Sequence, residues 1–228
     1  MNIHKPQVLI LDFDRTLAYL YRDEQLLLEL AEIICDHYAA FLPIDPTLYT
    51  MDGYKSWYRL HRYAVQKYAP EEAQRINGRA EELVTAFEAR VVARTPFFEH
   101  VAEALQCLHR DGMELMIVSS NASTVIQEAL KREGLLPCFS HVMGRSLPFD
   151  PDKLKPNPYP IQQAIEKTSA PKEAIWYAGD DLVDVRAAKA CGITAIGVAS
   201  GKYTAQELQA QGADHTIPRL SDIRSLFA

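Results

Sequence analysis

No two cysteines of this sequence stand in a CxxC. Cys35, Cys107, Cys138 and Cys191 are scattered, and no histidine spacing matches them. A disulfide framework and a structural zinc site are thereby excluded, leaving reduced thiols. Positive charge is short as well: 24 Lys and Arg against 30 Asp and Glu give a formal net charge of -6. That balance lacks the footprint that nucleic-acid backbones or anionic lipid surfaces reward, so neither is expected as a partner. No apolar run approaches the roughly 20 residues of a membrane span. The opening MNIHKPQ lacks the apolar core of a signal peptide, so a cytoplasmic protein is expected. Repeats and low-complexity segments are also missing. What remains, 228 residues with 48% apolar and 24% charged side chains, is the composition of an ordinary globular chain. It is long enough for one large domain, or for a core carrying an insertion.

Short apolar runs set the organisation. VLIL at the start, ELMIVSS, FSHVMG, AIWYAG, TAIGVAS and DHTI read as strands, and from Gly112 onward helical stretches alternate with them. ASTVIQEALKREG reads as a helix capped by Asn121 and stopped at Gly134. PYPIQQAIEKTS and LVDVRAAKACG follow, the latter ending at Gly192, and Thr204 with Glu207 makes a capping box for AQELQAQG. This alternation implies an α/β fold: a Rossmann-like parallel sheet with helices on both faces. Residues 22–94 break the rhythm with three helical patterns and no strand. Thr95 and Pro96 then read as the N-cap and first residue of a further helix over FFEHVAEALQCLHRDG. The expected division is a core of 1–20 and 96–228 with an inserted all-helical cap domain at 21–95.

In open parallel sheets ligands bind beyond the carboxyl ends of the strands, where the strand order reverses. The first strand delivers Asp12 and Asp14 there. The second delivers Ser119, Ser120 and Asn121, and another delivers Asp180, Asp181 and, one turn on, Asp184. Lys155 lies in a proline-rich loop between them. Residues two apart on an extended strand share a side, so Asp12 and Asp14 can face one small volume. Carboxylates converging there need a cation, and hard oxygen donors suit Mg²⁺, with Asp180 and Asp184 available to complete the site. A hydroxyl, backbone N–H groups and a lysine around the same volume add an anion cradle. Cation, cradle and carboxylate together point to phosphoryl transfer, in which one acid attacks phosphorus and a second serves as acid and base.

Four motifs carry a family resemblance. DFDRTL, IVSSN, KPNP and GDDLVD, in this order, resemble those of the haloacid dehalogenase superfamily of phosphohydrolases. The C-terminal GVASGKYTAQELQAQGADHTIPRLSDI is similar to the ending of its phosphoglycolate phosphatase-like members. The resemblance implies Asp12 as nucleophile, Asp14 as acid and base, Ser119 as phosphate ligand and Lys155 as orienter of phosphate and nucleophile. It further implies Mg²⁺ held by Asp12, the backbone carbonyl of Asp14, and Asp180. Motif four also offers Asp181 and Asp184, which leaves open which of them approaches the metal and which stands behind its ligands, and Ser120, Asn121 and Arg15 join the candidate phosphate-binding set. Arg15 departs from the glycine common at its position. The implied substrate is a small phosphorylated metabolite, phosphoglycolate first among them, for a monomer or homodimer with the inserted helices as a lid.

Other readings compete. A phosphomutase differs mainly in what reaccepts the phosphoryl group. A 2-haloacid dehalogenase of this superfamily would lack Asp14, and a non-catalytic phospho-ligand-binding protein would be expected to lose a motif acid. A signalling receiver would carry its phosphoacceptor on the third strand. GVASGKY imitates a phosphate loop, but it has three residues between the glycines where four are required, and Tyr203 stands where Ser or Thr belongs. YKSWYRLHRYAVQKY reads either as the lining of a substrate pocket or as an amphipathic helix with a solvated basic face, and the second reading is favoured for any single residue.

Overall fold

The computed structural model describes residues 4–43, 45–145 and 148–227. In chain order its elements are β1 (Val8–Leu11), α1 (Gln25–Ala39), α2 (Gly53–Lys67), α3 (Pro70–Val92), α4 (Val101–Arg110), β2 (Glu114–Ala122) and α5 (Ser123–Arg132). There follow β3 (Phe139–Arg145), α6 (Tyr159–Ile165), β4 (Ile175–Gly179), α7 (Leu182–Cys191), β5 (Thr194–Val198), α8 (Ala205–Ala210) and β6 (His215–Ile217), with a 3-10 helix at Leu220–Leu226. Contacts divide the chain into two compact units. One comprises Met1–Leu20, Thr95–Arg145 and Asp152–Ala228, the other Tyr21–Arg94 and Ser146–Pro151.

The first unit is built on a six-stranded sheet in the order β3-β2-β1-β4-β5-β6. Every neighbouring pair runs parallel. Burial follows from the sequence, because VLIL has no polar face: all four residues are at most 1% exposed. Val8 and Ile10 join Met116, Val118, Ile175 and Tyr177 in one cluster, packed against Ile161 of α6, Val185, Ala188 and Cys191 of α7, and Leu208 of α8. The alternate residues Leu9, Leu11, Leu115 and Ile117 point the other way and are equally buried, so the sheet is covered on both sides. The strand order reverses between β1 and β4, which opens a crevice at their carboxyl ends.

Local chemistry sets the helix ends. Thr204 and Glu207 form the capping box of α8, and Asp181 and Asp184 form one at α7. Gly134 (φ 68) and Gly192 (φ 71) close α5 and α7. Two expectations are corrected. Thr95 and Pro96 do not start a helix. Phe97 bridges Ala18 and the Phe98 N–H donates to the Leu17 carbonyl, so this segment is extended, and α4 begins at Val101 after a left-handed His100. Asn121 is not a helix cap either. β2 continues through it, with a bulge relative to β3 between Val118 and Ala122, and α5 starts at Ser123.

The second unit is a three-helix assembly. Trp57, Leu60 and Ala64 recur along α2 on the face turned inward, and Ile76, Ala80, Val84 and Phe87 do the same along α3, all buried with Leu30 and Ile34 of α1. Each large apolar side chain so buried is worth about 1.5–3 kcal/mol against exposure. Two buried side chains, Asn77 and Glu88, accept from tyrosines: Tyr38 donates to Asn77 Oδ1 (2.7 Å), and Tyr54 donates to Glu88 Oε1 (2.6 Å). Asp52 caps α2 through the N–H groups of Tyr54 and Lys55. Among the described residues, no helix is long and apolar enough to cross a membrane.

Candidate active site

All the site residues described below lie in the first unit. Asp12 follows β1, and its backbone N–H donates to the Ala178 carbonyl of β4 (2.9 Å), which extends the ladder by one residue and fixes where its carboxylate stands. Asp180 follows β4. Asp184 sits in the first turn of α7, placed there by the capping box it shares with Asp181. One oxygen from each of Asp12, Asp180 and Asp184 lies within 4.8 Å of the others, and all three residues are buried. Two glycines make this convergence possible. A Cβ on Gly179 would collide with the Asp184 carboxylate, and one on Gly201 would collide with Asp180 Oδ2.

Lys155 crosses this cluster. Its ammonium is 4% exposed and donates to Asp12 Oδ1 (2.7 Å), stands 2.6 Å from Asp184 Oδ1, and donates to the Tyr177 hydroxyl (2.8 Å). The Lys155–Pro156 peptide bond is cis. Burial alone would lower the lysine pKa, but Asp12 and Asp184 outweigh it and hold the ammonium well above its ordinary value. For the acids burial dominates. It pushes Asp12 up to about 6, with Lys155 opposing and Asp184 adding. It pushes Asp180 up to about 9, with Asp184, Asp12 and Asp14 adding. Burial likewise raises Tyr177 well above the ordinary phenol value, so its hydroxyl keeps its proton.

Asp14 stands apart from the carboxylate cluster. Its Oδ1 accepts the Leu20 N–H (2.8 Å), and burial, opposed by Arg15, pushes it up to about 7. Arg15 adopts φ 58, the left-handed region where glycine is at ease. Its carbonyl accepts from Ser200 Oγ, its guanidinium lies 5.4 Å over the Tyr19 ring, and its buried Nε has no hydrogen-bond partner among the described residues. Ser119 is buried and its hydroxyl donates to Asn121 Oδ1 (3.3 Å). Ser120 is half-buried, and its carbonyl accepts from Arg145 (2.6 Å). Asp181 caps the helix through the Val183 N–H (3.0 Å). The sequence left open whether Asp184 or Asp181 approaches the metal ligands, and it is the Asp184 oxygen that lies with those of Asp12 and Asp180. Sequence reasoning missed Tyr177 and Arg145, which read as an ordinary strand residue and a strand-end cation.

The donor set fits a hard divalent cation on two observations. Three carboxylates converge in a buried volume, and Asp180 Oδ2 is buried without a hydrogen-bond partner among the described residues. An orphaned buried carboxylate oxygen is costly unless a cation or proton satisfies it.

Comparisons with known proteins agree with this geometry. A family model described as haloacid dehalogenase-like hydrolase matches residues 9–198. The phosphoglycolate phosphatase of Vibrio parahaemolyticus is 28% identical over 128 residues, covering 56% of this chain and 55% of that protein. That of Salmonella typhimurium is 30% identical over 107 residues, covering 47% and 41%. The chain thus spans about half the length of the relatives it matches. Among solved structures, a hydrolase from Pseudomonas syringae superimposes with a TM-score of 0.66 at 22% identity, covering 96% of each chain. A haloacid dehalogenase-like family hydrolase from Streptococcus pneumoniae gives 0.64 at 14% identity, covering 98% and 99%. At these identities the structures speak for the fold.

Proposed function

The chain belongs to the haloacid dehalogenase-like hydrolases, and from that premise we propose that it is a Mg²⁺-dependent phosphatase of a small phosphorylated metabolite, with phosphoglycolate the first candidate. The observation that carries this reading is the convergence of Asp12, Asp180 and Asp184 at the strand ends, with the Lys155 ammonium on Asp12. Asp12 and Asp180, with the Asp14 carbonyl, would hold Mg²⁺, whose chemistry is to neutralise charge on the phosphoryl oxygens and on the acids. The match to phosphoglycolate phosphatases supports the substrate class.

Lys155 engages Oδ1 of Asp12, which leaves Oδ2 for attack on phosphorus. The Asp12 O–P bond forms as the P–O bond to the leaving alkoxide breaks, giving an aspartyl phosphate. Asp14, held near pKa 7 by burial, gives its proton to that leaving oxygen. It then takes a proton from the water that attacks the aspartyl phosphate, releasing phosphate and restoring Asp12. A pKa near the working pH suits a group that must do both. Ser119 and the bulged strand end through Asn121 offer the hydroxyl and N–H donors of the phosphate cradle, with Ser120 beside them. The helical segment 21–95 is assigned the role of cap, selecting substrate and excluding water.

The test is phosphate release from a panel of phosphorylated metabolites with Mg²⁺ and with chelator, on wild type and on Asp12→Asn. Metal-dependent release lost in the variant is the expected result. Release that survives in Asp12→Asn would refute the aspartyl phosphate.

A further inference from the structure

We propose that Tyr177 is a positioning residue of this site: its phenolic oxygen holds the Lys155 ammonium in place and ties it to the end of β2. The inference rests on the phosphatase reading for its consequence, and on geometry alone for the contact itself.

An ammonium has three N–H donors. Asp12 Oδ1 takes one at 2.7 Å, the Tyr177 oxygen another at 2.8 Å and the Val118 carbonyl the third at a long 3.4 Å, while Asp184 Oδ1 forms an ion pair at 2.6 Å. Without Tyr177 the ammonium, whose side chain is 4% exposed, would keep one short hydrogen bond, to Asp12, beside the long one to the Val118 carbonyl and its ion pair with Asp184. The phenol has one proton of its own. It reaches the Val118 carbonyl at 3.1 Å and Asp184 Oδ1 at 3.2 Å, and the latter already pairs with the lysine. The chain of donors therefore runs from Lys155 to Tyr177 to Val118, the residue before Ser119.

Topology makes this contact unusual. β1 lies between β4 and β2 in the sheet, and Tyr177 is in register with Ile10. The side chain must cross the end of β1 to reach Val118, so a single phenolic oxygen joins groups from β4, β2, the Lys155 loop and α7. A phenylalanine would fill nearly the same volume in the core, so packing does not require the hydroxyl. Tyr38 offers the contrast: equally buried, its hydroxyl donates to Asn77 Oδ1 in the helical unit.

Freed from Tyr177, the ammonium has room to tilt between its two carboxylates, and Asp12 tilts with it. A misplacement of about 1 Å at a reacting group can cost a hundredfold in rate. We expect Tyr177→Phe to lower kcat by roughly 10- to 100-fold with KM changed by less than about threefold.

The experiment has two arms on the full chain. In the first, side-chain ¹⁵N NMR of the metal-free protein follows the Lys155 ammonium signal, assigned by its loss in Lys155→Met. The signal should be protected from exchange in wild type, should broaden or vanish in Tyr177→Phe, and should persist in Tyr38→Phe. Backbone amide spectra confirm that each variant is folded. In the second, kcat and KM on the best ester, and affinity for orthovanadate, are measured for Tyr177→Phe, Lys155→Met and the double variant. Acting through Lys155, Tyr177→Phe should add less than twofold to the vanadate loss of Lys155→Met. An unchanged lysine signal, an unchanged kcat, or vanadate losses that multiply would overturn the proposal. A wild type that hydrolyses no ester, with the lysine signal still lost in Tyr177→Phe, would sink the phosphatase reading and leave the contact standing.

Discussion

Lys155→Met removes the only described cation in contact with the carboxylate cluster, and its cost can be worked from the contacts. At about 2.7 Å and an effective dielectric near 20, each carboxylate contact is worth roughly 6 kcal/mol of Coulomb attraction before desolvation. Removing one partner of a buried pair costs about 3–5 kcal/mol, because the remaining charges lose their compensation. Methionine fills most of the space, so little of this is a cavity effect. For a chain of this size that loss corresponds to a fall of about 6–20 °C in the unfolding midpoint of the sheet unit. Lys155 has a raised pKa, so its stabilisation is complete below its unfolded value and is not lost anywhere between pH 5 and 9. The pH dependence of the variant comes instead from the acids, which take up protons as pH falls and relieve their own repulsion. Thermal unfolding in chelator should therefore show a larger loss at pH 8 than at pH 5.5. Adding Mg²⁺ should restore more stability to the variant than it adds to wild type. A midpoint within about 2 °C of wild type at both pH values would show that the buried pair is not what holds this end of the sheet.

Three further outcomes follow from the same geometry. Metal-free wild type should lose stability as pH rises from about 4 to 9. Asp12 at about 6, Asp14 at about 7 and Asp180 at about 9 all bind protons more tightly folded than at their ordinary value of 3.8. Midpoints in chelator that climb steadily over that range would contradict the assignment, whereas Mg²⁺ should flatten the curve and release protons on binding. Arg15→Gly should stabilise the chain by about 1 kcal/mol by removing the strain of a left-handed side-chain residue. It should also tighten Mg²⁺ binding, since a cation whose field reaches Asp14 and Asp180 is gone; denaturant titration and calorimetry read the two effects separately. Gly201→Ala drives a methyl into Asp180 Oδ2. Mg²⁺ affinity should fall at least about tenfold in a protein that still folds, and unchanged affinity would place Asp180 outside the metal site.

The parts of the fold that announce themselves are those with local causes. The runs VLIL and AIWYAG have no polar face, so β1 and β4 must lie in a sheet covered on both sides, and helix stops at Gly134 and Gly192 need only the next residue to be read. The two misread segments are places where one composition serves two conformations. Ser119–Ser120–Asn121 has the polarity of a turn and cap, yet it is a bulged strand end, since β3 pairs beyond it at Ala122 and Arg145. Thr95–Pro96 suits a helix start and an extended entry alike, and the pairing of Phe98 with Leu17, 81 positions away, decides between them. The site divides the same way. Asp12, Asp14 and Asp180 stand out because charged residues directly follow buried strands. Asp184 is ambiguous because one side chain both caps α7 and turns its other oxygen to the cluster. Tyr177 is invisible, since along β4 it is one apolar residue among five. What distinguishes it is a lysine 22 positions before it and a carbonyl 59 positions before it, brought together only when β1 closes between them. A hydroxyl placed in the core of a sheet carries no sequence signal of its purpose. Its purpose is written in which unsatisfied donors the fold brings to it, and here they are those of the one lysine the acids cannot do without.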